Sequence, residues 1–429
     1  MACLLALVGL CTTAADTDIN MNEQYDEADL RRRFDSLGSA HPRLCTRTDT
    51  LPVDLGDLEP YMQAVIAEAH RIEKKPVLER VQVGRRLLAV SRDALHRLTV
   101  LSAAWIRTRD EGLLKRAEAE LLALCAFSDW NPSHYLDTAE MSLAVSLGYD
   151  WLYNALPPES REKIADGLWR LGLQTALDDK AWWTTSDNNW GQVCHAGMTA
   201  AALVLADRHP QEAFHVVSRA FQNIGRPMSV YAPDGVYPEG PGYWDYGTSF
   251  TVAFIQIAES ALGTSYGLDR TAGFVESADF MRHATGSTGW VYDFADCGTF
   301  SRGAPCLLWF ADRYKSKFGG HVSGAFQREW TLACKTPKRL SDDRLAVLFL
   351  LFGLDRTPQA SEVSRPTPLD WHGRGESELV TLRSAWDDPA AWYVGIKSGT
   401  PSVNHGHMDG GSFILEAGGV RWAAECGME

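Results

Sequence analysis

Residues 85–108 read RRLLAVSRDALHRLTVLSAAWIRT. Leu87, Val90, Ala94, Leu98, Leu101 and Trp105 recur three or four apart, the spacing that gathers apolar side chains along one stripe of an α-helix. The same spacing returns in 111–126 (EGLLKRAEAELLALCA) and 139–155 (AEMSLAVSLGYDWLYNA). It predicts further helices over 158–178, 194–207, 211–230 and 248–262. Breakers separate these runs at Asn131-Pro132, Pro157-Pro158, His209-Pro210 and Ala232-Pro233-Asp234-Gly235. Helices joined by short loops pack as antiparallel pairs, in a bundle, a solenoid or a closed toroid. No period of about 30–50 residues is visible, which weighs against a regular solenoid.

The pattern changes after about Arg339. A last helix is expected over 341–354. Residues 356–375, RTPQASEVSRPTPLDWHGRG, are rich in Pro, Ser and Gly and read as a linker. Strand-like runs follow at 378–383 (ELVTLR), 391–397 (AWYVGIK), 411–416 (GSFILE) and 419–424 (GVRWAA). The expected class is therefore α+β and multidomain, with a helical domain over 40–355 and an antiparallel β domain beginning at 376–429. Four strands do not easily close a sandwich or barrel, so the polypeptide is expected to continue past Glu429.

The chain has 429 residues, which sets a prior of two or three domains. Hydrophobic residues make up 45% and charged residues 22%, which excludes wholesale disorder, collagen and coiled coil. The net charge of −14 supplies no basic footprint for nucleic acid. It still permits an anionic ligand where a few cations line a cleft. Fifteen tryptophans suit a helical core first and a sugar cleft second. Nine cysteines without a CxxC pair fit neither a zinc ribbon nor a disulfide framework. Residues 1–15 join the apolar run MACLLALVGL to the small residues of CTTAA, as in an export signal, although the positive start is missing. A periplasmic or secreted location is expected, and no other stretch is long and apolar enough to span a membrane.

Three segments concentrate polar and aromatic residues where loops are expected, and loops carry function. The first is 187–197, DNNWGQVCHAG, ahead of an apolar helix. One Asn or Asp would suffice as a helix cap, yet Asp187, Asn188, Asn189, Gln192 and His195 crowd here. The second is 234–248, DGVYPEGPGYWDYGT, read as an irregular loop carrying Tyr237, Glu239, Tyr243, Asp245 and Tyr246, with helix only from 248. The third is 404–412, NHGHMDGGS. On a strand His405, His407 and Asp409 would share one face, a spacing that suits a metal. A fourth candidate, 129–140, holds His134, Asp137 and Glu140, where a loop and helix cap explain most of the composition.

These segments together, from HPRL at 41–44 through DWNPSHYLDTAEM, NNWGQVCHAG, YPEGPGYWDYGT and NHGHMDGGSF to RWAAECG, resemble the heparinase II/III-like polysaccharide lyases. The resemblance implies an incomplete (α/α) toroid followed by antiparallel β-sandwich domains. It also implies β-elimination at a uronate in an acidic polysaccharide such as heparin, heparan sulfate or alginate. By motif register, Asn189 is then the neutraliser of the substrate carboxylate, Tyr243 the base or acid, and His405 the second catalytic group. Asn188, Gln192 and His195 would assist, and His134, Trp190, Glu239 and Tyr246 would lie on the substrate side. Some relatives bind metal through a histidine two residues on, here His407, with an acidic residue after the RWA stretch, here Glu425. That zinc would be structural, and no cofactor is required for the chemistry. Two departures stand out: Trp190 occupies a place where several members have His, and Glu425 one where Asp is commoner.

Two rival chemistries use the same residues. An inverting glycoside hydrolase would pair Glu239 with Asp137 or Glu140. A metal-dependent hydrolase would use His405, His407 and Asp409.

Overall fold

The computed structural model describes residues 24–47, 55, 58–299, 304–314, 344–348 and 368–426. Its helices are α1 (Glu27–Asp35), α2 (Glu59–Glu73), α3 (Leu88–Thr108), α4 (Glu111–Cys125), α5 (Tyr135–Leu152), α6 (Pro158–Leu171), α7 (Asn189–Val204), α8 (Pro210–Asn223), α9 (Gly225–Met228), α10 (Gly240–Leu262), α11 (Ser277–His283) and α12 (Cys306–Arg313). The expected export signal at 1–15 and most of the helix expected at 341–354 lie outside the described residues.

The helices form two layers. In the inner layer α3 packs on α5, α5 on α7 and α7 on α10. In the outer layer α4 lies on α3, α6 on α4 and α8 on α7. Burial follows this order: every residue of α5 is buried, as is α7 apart from Trp190, whereas α8 exposes Pro210, Gln211, His215 and Gln222. The run at 139–155 is thus not the amphipathic surface helix its spacing suggests. It is buried all round, which a helix flanked on every side requires. Close approach depends on small residues. A Cβ on Gly197 of α7 would sit 2.2 Å from the Ala139 carbonyl oxygen of α5.

Local chemistry sets the ends. Asp110 caps α4 by accepting from the Gly112 N–H (2.7 Å), and Asn188 caps α7 by accepting from the Trp190 N–H (3.1 Å). Pro158 and Pro210 occupy first helical positions, where a missing N–H costs nothing. Asp150 of α5 anchors the 41–44 stretch, accepting from His41 Nδ1 (2.6 Å) and from the N–H groups of Arg43 (2.9 Å) and Leu44 (2.8 Å).

Five strands follow: β1 (Asp370–Gly373), β2 (Ser377–Arg383), β3 (Tyr393–Gly399), β4 (Phe413–Ala417) and β5 (Val420–Ala423). They form one antiparallel sheet in sequence order. The stretch expected as linker therefore holds β1, paired Trp371 to Thr381. Its Pro-rich part ends at Pro368, and Asp370–Gly373 is short, so its strand character was masked by its neighbours. One face of the sheet docks on the helical half through polar groups. Tyr393 donates to the His283 carbonyl (2.8 Å), and Glu416 accepts from the Thr288 N–H (2.8 Å) and hydroxyl (2.9 Å). The other face exposes Leu382, Ile396, Phe413, Val420 and Trp422.

Candidate active site

Where the two halves meet, a cleft of about 770 Å³ opens. Its walls bring together Asn189, Trp190, His134, Tyr243, Tyr246 and His405 from four separate stretches. Helix geometry explains part of this. Two of the segments expected as loops are largely helical: α7 begins at Asn189 and α10 at Gly240. Asn189 and Tyr243 thus stand in the first turns of two adjacent inner helices. The third segment is a loop between β3 and β4, and not a strand, so the alternation argument for His405, His407 and Asp409 fails.

Tyr243 and His405 are in direct contact, their rings stacked at 4.2 Å and 19°. His405 has a positive φ of 57°, a conformation that a non-glycine residue keeps only when its surroundings hold it. The holders are two carboxylates. Asp296 accepts from His405 Nδ1 (2.5 Å) and from His407 Nε2 (3.0 Å). Glu239 lies 3.9 Å from His405 Nε2 and accepts from Asn404 Nδ2 (2.9 Å), Tyr237 Oη (3.3 Å) and the Asn189 N–H (3.3 Å). Glu239 is 2% exposed, and burial raises its pKa above the usual carboxylate range against the pull of Asn404 and His405. Burial works the same way on Asp296, but its two histidine partners prevail and hold its pKa low. Burial also raises the Tyr243 pKa, reinforced by Asp296 and Glu239 and opposed by Arg86 and Arg92. The phenol therefore keeps its proton at neutral pH. Asn189 is 1% exposed, and its Oδ1 has no hydrogen-bond partner, so the fold does not consume this amide.

Other expected site residues stand elsewhere. Gln192 is fully buried behind the cleft, donating to Tyr231 Oη (2.8 Å) and accepting from Tyr237 (2.8 Å). His195 faces the core, with Nε2 on the Thr184 carbonyl (3.1 Å), and burial lowers its pKa to about 4. Asn188 is spent as the α7 cap. Gln192 and His195 share α7 with Asn189, but their side chains are bonded to Tyr231, Tyr237 and the Thr184 carbonyl and do not line the cleft. Tyr246 lines the cleft, but its hydroxyl is committed to Glu140 (2.7 Å).

The carboxylates a hydrolase would need are likewise committed. Asp137 is fully buried and accepts from the Leu87 N–H, Asn131 and His134. Glu140 is fully buried beneath Arg92 and Arg344, which hold its pKa down despite the burial. These two arginines line the cleft together with Arg85 and Arg86. No motif marked any of the four in the sequence, and Asp296 was missed as well. Only the fold brings Asp296 to His405, 109 positions away.

Ligand atoms of His407, Asp409 and Glu425 lie within 4.8 Å of one another. Asp409 thus joins the expected His407–Glu425 pair. His405 is outside this group, which removes the trio required by the metal-hydrolase reading. One imidazole and two carboxylates are an acceptable zinc donor set, and His407 has the carboxylate partner common behind such ligands. Asp409 Oδ2 is buried with no hydrogen-bond partner, as an oxygen awaiting a cation would be, while Oδ1 is paired with Lys397. These residues fit the metal.

No protein-family model and no curated protein sequence matches the chain. Solved structures do. Heparinase III matches with a TM-score of 0.56 at 11% identity, over 94% of this chain and 62% of that one. Chondroitin AC lyase of Streptomyces coelicolor A3, solved with chondroitin sulphate, matches with a TM-score of 0.52 at 15% identity, over 92% and 58%. A Paenibacillus xanthan lyase matches with a TM-score of 0.52 at 13% identity, over 91% and 40%. The chain spans less than two thirds of the length of each. At such identities the likeness is one of fold, and that fold is the one these polysaccharide lyases share.

Proposed function

We propose that the protein is a lyase that cleaves a uronate-containing polysaccharide by β-elimination. The observation that carries this reading is the meeting, in one cleft, of an uncommitted amide, Asn189, with a stacked phenol–imidazole pair, Tyr243 and His405. Elimination needs such a set. The C5 proton of a uronate is weakly acidic until the adjacent carboxylate is relieved of charge. The Asn189 amide hydrogen-bonds that carboxylate as charge flows onto it. His405, oriented through Nδ1 by Asp296, takes the C5 proton on Nε2. The C5–H electron pair becomes the C4=C5 double bond as the C4–O4 bond breaks, and Tyr243 delivers its proton to O4. The raised pKa keeps Tyr243 protonated and so able to act as the acid, and after product release solvent takes the proton from the imidazolium and returns one to the phenolate. Four cleft arginines make an anionic ligand tolerable to a chain of net charge −14. His407, Asp409 and Glu425 would hold a zinc ion that braces the β3–β4 loop, with no part in the proton transfers. An (α/α) toroid with a β-sandwich, and export to the periplasm or medium, belong to the same proposal.

Incubation with a panel of heparan-like, chondroitin-like, alginate and xanthan polymers tests it. The conjugated C4=C5 product absorbs in the ultraviolet, whereas hydrolysis yields no such chromophore. Absence of any rise with every uronate polymer would overturn the proposal.

A further inference from the structure

We infer that the cleft continues outward into a second sugar subsite. There an acidic residue of the same polysaccharide, one that is not being cut, stacks on Trp182 and Trp190 and sets its anionic group on Arg85 and Arg86. The ligand class rests on the lyase reading above; the place rests on three observations independent of it.

The first is a row of rings leading out of the cleft. His134 and Trp190 line the cleft with ring centroids 5.0 Å apart, and Trp182 lies 4.7 Å beyond Trp190. Trp182 sits on the single 3₁₀ turn Trp182–Thr185 and is 58% exposed, while its neighbour Trp183 is 1% exposed. One of two consecutive tryptophans therefore serves the core and the other faces water, its indole steadied by Trp190. An exposed indole held in one orientation is a flat apolar platform with a polar edge, which suits the C–H face of a pyranose.

Charge supplies the second observation. Arg92 and Arg344 share the one carboxylate of Glu140, but Arg85 and Arg86, also on the cleft wall and exposed, have no ion-pair partner among the described residues. Two guanidiniums offer paired N–H donors that match a carboxylate or a sulfate.

The third joins the first two. Asn131 donates to the Arg85 carbonyl (2.8 Å), and His134, three residues on, carries the contact with Trp190. The arginine pair and the ring row thus flank the same short turn. Trp182 and Arg85 make no hydrogen bond to Asn189, Tyr243 or His405 among the described residues, so they act on binding of longer chains and not on the elimination step.

The test is a chain-length series of uronate oligosaccharides with the full chain. Trp182→Ala should lower kcat/KM on polymer about tenfold and leave the shortest oligosaccharide that is cut within about twofold, with an unchanged melting temperature. Trp182→Phe, which keeps a ring, should recover most of the loss. Arg85→Gln should show the same length dependence and a shallower fall of activity with salt. Equal loss at every length, or none on polymer, would overturn the subsite while the lyase reading stands. Should the wild type yield no unsaturated product at all, the lyase reading falls, and electrophoresis through gels containing heparan sulfate or alginate decides the subsite alone. Retardation of the wild type that Trp182→Ala abolishes supports it; equal migration of the two overturns it.

Discussion

Tyr243 and Tyr246 sit one turn apart on α10 and both line the cleft, yet their hydroxyls have different fates. Tyr243 stacks on His405 and has no hydrogen bond committing its oxygen among those described, whereas Tyr246 is bound to buried Glu140. Tyr243→Phe removes one hydroxyl and little volume. Turnover should fall about 10²–10⁴-fold, the usual worth of a general acid, with the melting temperature nearly unchanged. Tyr246→Phe leaves a buried charged acceptor one bond short, so it should cost about 1–3 kcal/mol of stability and change turnover little. Steady-state kinetics and thermal melts on both variants separate the two. The reverse pattern would show that the register assigned to this segment is wrong. Asn189, Tyr243 and His405 could be singled out in the sequence through the motif register of the family resemblance, and the fold brings all three to one cleft. Asp296 was not, since the two aspartates of YDFADCG signal nothing until the chain folds the second against His405.

At the scale of elements, the helices were read well and their first turns poorly. Asn188–Gln192 and Gly240–Tyr246 carry Gly, Pro and Asn, which usually mark loops, but here they cap and open α7 and α10. Pro241 stands where a proline does a helix no harm. The consequence is that Asn189 and Tyr243 are carried by rigid inner helices, while His405 arrives on the β3–β4 loop and depends on what pins that loop. Glu239 and Asp296 pin one side of it, and His407 with Asp409 would pin the other through metal. Because Glu239 and Asp296 hold His405 without metal, removing metal with a chelator should lower the melting temperature and leave turnover well below it nearly intact. Zinc added back should restore the melt. Immediate loss of turnover at a temperature where the fold persists would move the metal from bracing into the chemistry.

At the scale of the whole molecule, the order of a helical half before a sheet was evident from periodicity switching near Arg339, but the way the two halves join was not. They join through polar groups: Lys397, Glu416 and Arg383 occupy the buried face of the sheet, where alternation alone would place apolar residues. His283 is central to that junction. Its carbonyl accepts from Tyr393 (2.8 Å) and Arg383 (3.2 Å), its Nδ1 faces the Thr381 hydroxyl (3.3 Å), and its ring stacks on Trp371 at 4.8 Å. Burial lowers its pKa to about 3, with Arg383 and Arg282 pushing the same way. The sign then follows from linkage. Unfolded, this histidine takes a proton as pH falls through about 6.5; folded, it stays neutral until about 3, so the stability present above pH 6.5 drains away between the two values. Each unit of that window is worth about 1.36 kcal/mol, which places the loss near roughly 3 kcal/mol by about pH 4. Buried His195 adds to the same slope. Urea midpoints followed from neutral pH down to about pH 4 should therefore fall steeply. His283→Gln, which keeps a polar contact for Thr381 without a titrating ring, should be less stable at neutral pH and lose less on acidification. A wild-type midpoint that is flat over this range would mean that the junction opens and hydrates its histidine before the fold gives way.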